Sequence, residues 1–352
     1  MTVNIKKLDK AIQLVKEGIN KGYFPGAAVA VGGRKNLYFI EHFGNRSLYP
    51  ENHSLERDTL FDMASLTKVM ATTPLLIRFL EDGKISLYDK ISEYVEVTEE
   101  KKEISILDLL THTAGFKSFV LFEKVCTSYK DAIKYITNEP LECEVGSKVM
   151  YSDFSFILLG YILEQIGGDT LDNLCRKYVF QPLSLENTTF NPISKNVVAT
   201  EMDKVTGKML LGSVHDENSR FFGGVSGHAG LFSTIEDTAK YAKMLVNSGK
   251  IDGQSFISKN GFNSMVRNYT SSLNEDRALG WLLKADKMSS GGELISPSAF
   301  GHTGFTGTSI WVDIENDIYA ILLTNRVHPT RNNTHILRFR RLFHNAVISA
   351  VE

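Results

Sequence analysis

The sequence predicts an α/β (α+β) chain in which an antiparallel sheet, built from both ends and flanked by helices, encloses a mostly helical inserted lobe. Three observations carry this. Strand-length apolar runs lie near both termini, Ala27 to Val31 with Asn36 to Phe43, and Ser309 to Asp313 with Ile318 to Thr324. Amphipathic helical spacing lies outside each pair. Between them, roughly from 62 to 223, the apolar pattern is predominantly helical.

Taken in order, Leu8, Ala11, Ile12, Val15 and Ile19 mark the first helix. Gly32-Gly33-Arg34-Lys35 turns the first hairpin. Val69 through Leu80 reads as a helix closed by Glu81-Asp82-Gly83-Lys84, with Gly83 as the stop. Ser155 to Gln165 and Leu171 to Val179 supply further helices, and the last strands lead into a helix from about His335 to Val351. No internal repeat, low-complexity tract or linker interrupts the chain, so a single domain spanning 1–352 is expected, with an α/β lobe of about 1–61 and 224–352 and a helical lobe of about 62–223.

Composition narrows the class. With 352 residues, 43% of them hydrophobic, the chain can bury a large core. A formal net charge of −2 argues against nucleic acid as a partner. No apolar run reaches the roughly eighteen residues that a membrane span needs. Met1 through Lys7 lead directly into the first amphipathic pattern without a secretory apolar region, so a cytoplasmic location is expected. Cys126, Cys143 and Cys175 have neither metal nor redox spacing, which suits a reducing compartment.

The chemistry begins at Ser65-x-x-Lys68, the sole such spacing in the chain. A hydroxyl and an amine three positions apart share one helix face, giving a nucleophile with its own proton acceptor. A lysine partly withdrawn from water at the positive end of a helix is expected to lose its proton near neutrality. Ser65 precedes the helical run, so its backbone N–H has no intrahelical partner and is free to stabilise an oxyanion. Two further triplets follow, Tyr151-Ser152-Asp153 before the apolar run Phe154 to Ile162, and His302-Thr303-Gly304 before Thr308 to Asp313. Tyr129-Lys130-Asp131 fits the tyrosine pattern as well, but the helix after Tyr151 and the turn glycine Gly146 before it favour Tyr151.

Ser-x-x-Lys, a tyrosine triplet and His-Thr-Gly, in that order, resemble the serine β-lactamases and penicillin-binding proteins, and the tyrosine points to the class C branch with its esterase and DD-peptidase relatives. The likeness runs from Phe24-Pro25-Gly26 to Thr324-Asn325 and includes Ile104 through Gly115 and Gly230 through Thr234. It implies a β-lactamase/transpeptidase-like fold and two-step acyl transfer, with Ser65 as nucleophile and Lys68 and Tyr151 sharing the proton traffic. It further implies an oxyanion site between the N–H groups of Ser65 and Phe305, and substrate contacts at Asp153, His302, Thr303 and Gly304. Two positions depart from the pattern of efficient β-lactam hydrolysis, Asp153 for asparagine and His302 for lysine, the latter exchanging a permanent cation for a titratable one. The expected activity is therefore that of an esterase or amidase on small acyl substrates. A D-alanyl-D-alanine carboxypeptidase or weak β-lactamase is the alternative, and a non-catalytic penicillin-binding sensor or scaffold is the alternative of another class.

One cluster remains, Val214-His215-Asp216-Glu217-Asn218 followed by the glycine-rich stretch Gly223 to Gly230. Its spacing is not that of a zinc helix, so no metal and no cofactor is expected. The glycines let backbone approach the cleft, where His215 and His228 are expected as substrate-binding residues, the alternative being structural hydrogen bonds. His112 is expected to serve packing and turn formation.

Overall fold

The computed structural model describes residues 3–203, 206–285 and 288–352; Met1 and Thr2, part of the leader argument above, lie outside them. Its framework is a seven-stranded antiparallel sheet, in spatial order Leu282–Leu283, Phe300–Thr303, Ser309–Asp313, Ile318–Thr324, Gly26–Gly32, Leu37–Ser47 and His53–Ser54. The N-terminal strand pairs with the last one, Ala27 opposite Thr324 and Val31 opposite Ala320, so the two ends of the chain share the centre of the sheet.

Alternation along these strands assigns the faces. Ala27, Val29 and Val31, with Ile318, Ala320 and Leu322, pack under the helices Ile5–Asn20 and Ile336–Ile348, whose Leu8, Ala11, Val15, Phe339 and Phe343 are buried. The alternate residues Ala28 and Ala30, with Ile310, Ile321 and Leu323, face the main core, which includes Met244 and Leu245 of the helix Ile235–Val246. A one-residue slip would exchange these two faces, so the register is fixed by burial on both sides.

From Leu66 to about 180 the chain is largely helical and its apolar residues join the same main core; from 181 to 216 it instead forms the short strands Thr189–Phe190, Ala199–Met202 and Met209–Leu211. These strands have too few apolar positions to show a period, which is why the sequence reads as helical there. The helix after Ser65 opens with a wide-turn segment, Lys68–Thr72, and continues as Thr73–Glu81. It ends at Gly83, which takes φ +68. Among the described residues no helix is long and apolar enough to cross a membrane.

Candidate active site

The turn that presents Ser65 is tied down by a buried carboxylate. Asp62 accepts the N–H of Ala64 at 2.9 Å and that of His215 at 2.7 Å, and Ala64 takes φ +46, a left-handed conformation that costs a non-glycine residue about 1 kcal/mol. Burial raises the Asp62 carboxyl above its usual value against the pull of these donors. From the other side, Thr306 donates to the carbonyl of Asp62 at 2.7 Å and Thr308 to that of Met63 at 3.2 Å. A side chain at Gly304 would come within 2.1 Å of Thr308 Oγ1 and 2.6 Å of the Met63 carbonyl, so only glycine lets the His302-Thr303-Gly304 segment lie against the serine turn. Among the described residues no acceptor takes the N–H of Ser65 or of Phe305, which leaves both donors free.

Around Ser65 the groups converge. Lys68 Nζ is 3.1 Å from Ser65 Oγ, and the Tyr151 hydroxyl is 2.9 Å from the same atom. Tyr129, the competing tyrosine, packs edge-on against Tyr161 and beside Phe222, away from the serine. His112 buttresses Tyr151: its ring lies 4.5 Å from the Tyr151 ring, its Nδ1 accepts the N–H of Ser152 at 3.2 Å, and its carbonyl accepts that of Met150 at 2.8 Å. The packing role expected for His112 is thus the one observed, directly behind the tyrosine.

Lys68 departs from the expectation of a near-neutral amine. It is fully buried, and its three ammonium hydrogens have three acceptors: Ser65 Oγ, Asp153 Oδ1 at 2.8 Å and the carbonyl of His228 at 3.2 Å. A neutral amine has one donor fewer and would turn a lone pair toward one of these oxygens. Burial alone would lower its pKa, but Asp153 and then Tyr151 outweigh that and raise it above the ordinary lysine value. Lys68 is therefore an ammonium at neutral pH. Asp153 faces this cation with its side chain partly exposed.

A cleft of about 910 Å³ opens over Ser65 and Tyr151, with His302, Thr303, Gly304 and Phe305 along one side. His302 is only 2% exposed. Burial, then the charges of Arg277 and Lys68, hold its imidazole well below the ordinary histidine value, so it is neutral rather than a titrating substitute for a cation. Its Nδ1 lies 2.9 Å from the Thr303 carbonyl and so carries the hydrogen, leaving the Nε2 lone pair without a partner among the described residues. The fixed charge comes instead from Arg277, a residue that no motif marks. It is 3% exposed, its guanidinium carbon lies 5.4 Å from the centre of the Tyr151 ring, and Glu275 takes one nitrogen at 2.8 Å. Its Nε and Nη1 have no partner among the described residues.

His215 and His228 do not line the cleft, contrary to expectation. Both are buried and held by carboxylates, His215 by Glu201 at 3.1 Å and His228 by Asp216 at 2.8 Å. Asp216 is also the N-cap of the helix Glu217–Phe221, while Glu217 pairs with Arg331 and His215 with Glu201, so of the four candidate ligands of the His215 cluster Asp216 and His228 meet and the other two turn elsewhere. Asp153, Asp216 and His228 do bring one ligand atom each within 4.8 Å of one another, but the Lys68 ammonium is already seated on Asp153. The glycine-rich stretch approaches the site from behind Lys68, through the His228 carbonyl.

A serine held between an ammonium and a phenol, beside two free backbone N–H groups at the floor of a cleft, defines a serine hydrolase of the acyl-enzyme type. The family model described as Beta-lactamase matches residues 11–344, and the chain belongs to that family. It is 32% identical to an N-acetylmuramyl-L-alanine amidase of Bacillus subtilis (strain 168), over 92% of this chain and 82% of that protein. It is 30% identical to a protein of Escherichia coli (strain K12) described as a D-alanyl-D-alanine carboxypeptidase, over 92% of this chain and 83% of that one. Among solved structures, EstCE1, a hydrolase with promiscuous acyltransferase activity, superposes with a TM-score of 0.79 at 19% identity, covering 98% of this chain and 99% of its own. A class C beta-lactamase superposes with a TM-score of 0.78 at 18% identity, covering 99% and 97%.

Proposed function

We propose that the protein hydrolyses small carboxylic esters and amides through an acyl-enzyme on Ser65. The convergence of Lys68 Nζ and the Tyr151 hydroxyl on Ser65 Oγ, at 3.1 and 2.9 Å, carries this reading. Tyr151 first gives its hydroxyl proton to solvent in the cleft; Ser65 Oγ then attacks the carbonyl carbon while its own proton passes to the Tyr151 oxygen, with the Lys68 ammonium and the Arg277 guanidinium over the tyrosine ring. The developing oxyanion takes the N–H groups of Ser65 and Phe305, donors of a kind that contributes on the order of 3 kcal/mol. Tyr151 returns the proton to the leaving oxygen or nitrogen as that bond breaks. Water then attacks the acyl-enzyme, gives a proton to Tyr151, and Ser65 leaves with it. Lys68 stays charged throughout, holding Ser65 Oγ in place.

Short-chain p-nitrophenyl esters should turn over faster than the chromogenic cephalosporin nitrocefin, and a fluorophosphonate should add once, on Ser65. An adduct on another residue would overturn the reading.

The unpartnered Arg277 donors favour one subclass, amides whose leaving group bears a carboxylate. The names of the amidase and carboxypeptidase relatives agree with that direction. Comparing N-acyl amino acids with their methyl esters tests it, since equal turnover would remove the case for a carboxylate contact.

A further inference from the structure

We infer that His228, locked in place by Asp216 and Ser226, is a positioning residue for the Lys68 ammonium: it fixes a carbonyl that Lys68 donates to and occupies the Asp216 carboxylate that would otherwise compete with Asp153. The inference rests on the reading of Ser65, Lys68 and Tyr151 as the reacting unit.

The geometry is that of a clamp. His228 Nε2 lies 2.8 Å from Asp216 Oδ1 and must carry a hydrogen there, while Nδ1 is 2.8 Å from Ser226 Oγ. With both ring nitrogens bound, the side chain fixes the residue whose own carbonyl accepts from Lys68 Nζ at 3.2 Å. The carbonyls on either side are pinned too, that of Gly227 by Thr72 at 2.7 Å and that of Ala229 by Ser219 at 3.0 Å. Gly227 has no room to move, since even a Cβ there would fall 2.1 Å from the Phe156 carbonyl.

Charge supplies the reason. Asp153 and Asp216 come within 4.8 Å of each other, with His228 the third member of the group. Burial favours the neutral acid at Asp216, but His228, the Ser219 N–H and Lys68 outweigh it and hold the carboxyl well below the usual range, so Asp216 is ionised. The Tyr151 ring lies beside Lys68, His112 and His302 feel its charge, and Arg277 over the same tyrosine ring is the neighbouring fixed cation. Without the imidazole, Asp216 would compete for the Lys68 ammonium and draw it away from Ser65 Oγ. An amide at position 216 would remove that competition.

The experiment is a double-mutant cycle on the full-length enzyme, normalised by fluorophosphonate titration of active sites. His228→Gln should lower kcat by about tenfold or more with KM changed less than about threefold, as loss of placement at the reacting group requires. In an Asp216→Asn background the same change should cost less than about threefold, because the competing carboxylate is gone and the two sites couple. Asp216→Asn is the background of choice because its amide oxygen still accepts the His228 N–H while the competing charge is gone, and His228→Asn stands in should His228→Gln fail to fold. Equal losses in both backgrounds, or an unchanged kcat, would overturn the inference. Labelling at Ser65 in the same samples keeps that outcome separate from a failure of the serine-hydrolase reading.

Discussion

Lys68 Nζ lies 2.8 Å from Asp153 Oδ1 in a site from which the lysine is wholly excluded from water. This ion pair changes the division of labour at Ser65. A lysine held charged is a donor and an electrostatic support, which leaves Tyr151 as the group able to take the serine proton.

The first prediction concerns that division. Lys68→Met and Tyr151→Phe should each lower kcat/KM by roughly 10³ or more, with the double variant little worse than the worse single one, because the residues act as a unit. Tyr129→Phe should be close to wild type, as that ring lies among Tyr161 and Phe222. Multiplicative losses would show that Lys68 and Tyr151 act independently.

The convergence of Ser65, Lys68 and Tyr151 is legible from sequence because Ser-x-x-Lys and the tyrosine triplet are local patterns joined by a known order. The strands Ser309–Asp313 and Ile318–Thr324 are equally legible, since buried strands with continuous apolar runs announce both ends. Arg277 is not. It lies in a loop with no period, and its importance comes from burial over Tyr151, a tertiary fact. His228 misleads in the opposite direction: its glycine neighbours do bring backbone close to the site, but against Lys68 rather than into the cleft. The charge of Lys68 is set by Asp153, which lies far away in the chain, so helix position alone gives the wrong protonation state.

The second prediction follows from the free donors of Arg277. Arg277→Gln should weaken kcat/KM for carboxylate-bearing amides by about 10- to 100-fold, the range of a charge-assisted hydrogen bond. Neutral p-nitrophenyl esters should lose far less, since only the guanidinium's support of the Tyr151 oxygen is removed. The ratio of the two activities, measured in one preparation, is the readout; a uniform drop would assign Arg277 to Tyr151 alone.

A third prediction separates His302 from pH control. Its imidazole is held well below the ordinary histidine value by burial and by Arg277 and Lys68, so it is neutral at neutral pH and imposes no inflection on kcat/KM near the ordinary histidine value. His302→Gln should therefore leave the shape of the profile unchanged while altering its height. His302→Lys would place a second cation near Arg277 and should lower activity toward neutral esters. Loss of a wild-type inflection in His302→Gln would show that the imidazole titrates after all.

The last prediction is for acid stability. His112, His302, His328 and His344 all have imidazoles lowered from the ordinary value, chiefly by burial, and His344 is pushed down to about 3. In the unfolded chain each binds a proton near pH 6.5, so below that pH the unfolded state holds more protons than the folded one. Their contribution is therefore intact above about pH 6.5 and declines as pH falls toward the folded values, at about 1.4 kcal/mol per pH unit for each histidine that stays neutral. Glu201 adds its part only later, because its carboxyl is held down at about 2 by His215 and Arg331 against burial. Urea melts at pH 7 and pH 5 should thus show a marked loss, offset in part by Asp62 and Glu164, whose carboxyls burial raises above the ordinary value. His344→Gln is the diagnostic variant, since this side chain sits on the C-terminal helix against Ser309, outside the cleft lining. It should flatten the dependence by close to one proton while leaving ester turnover near wild type, and an unchanged slope would mean that His344 is protonated in the folded protein.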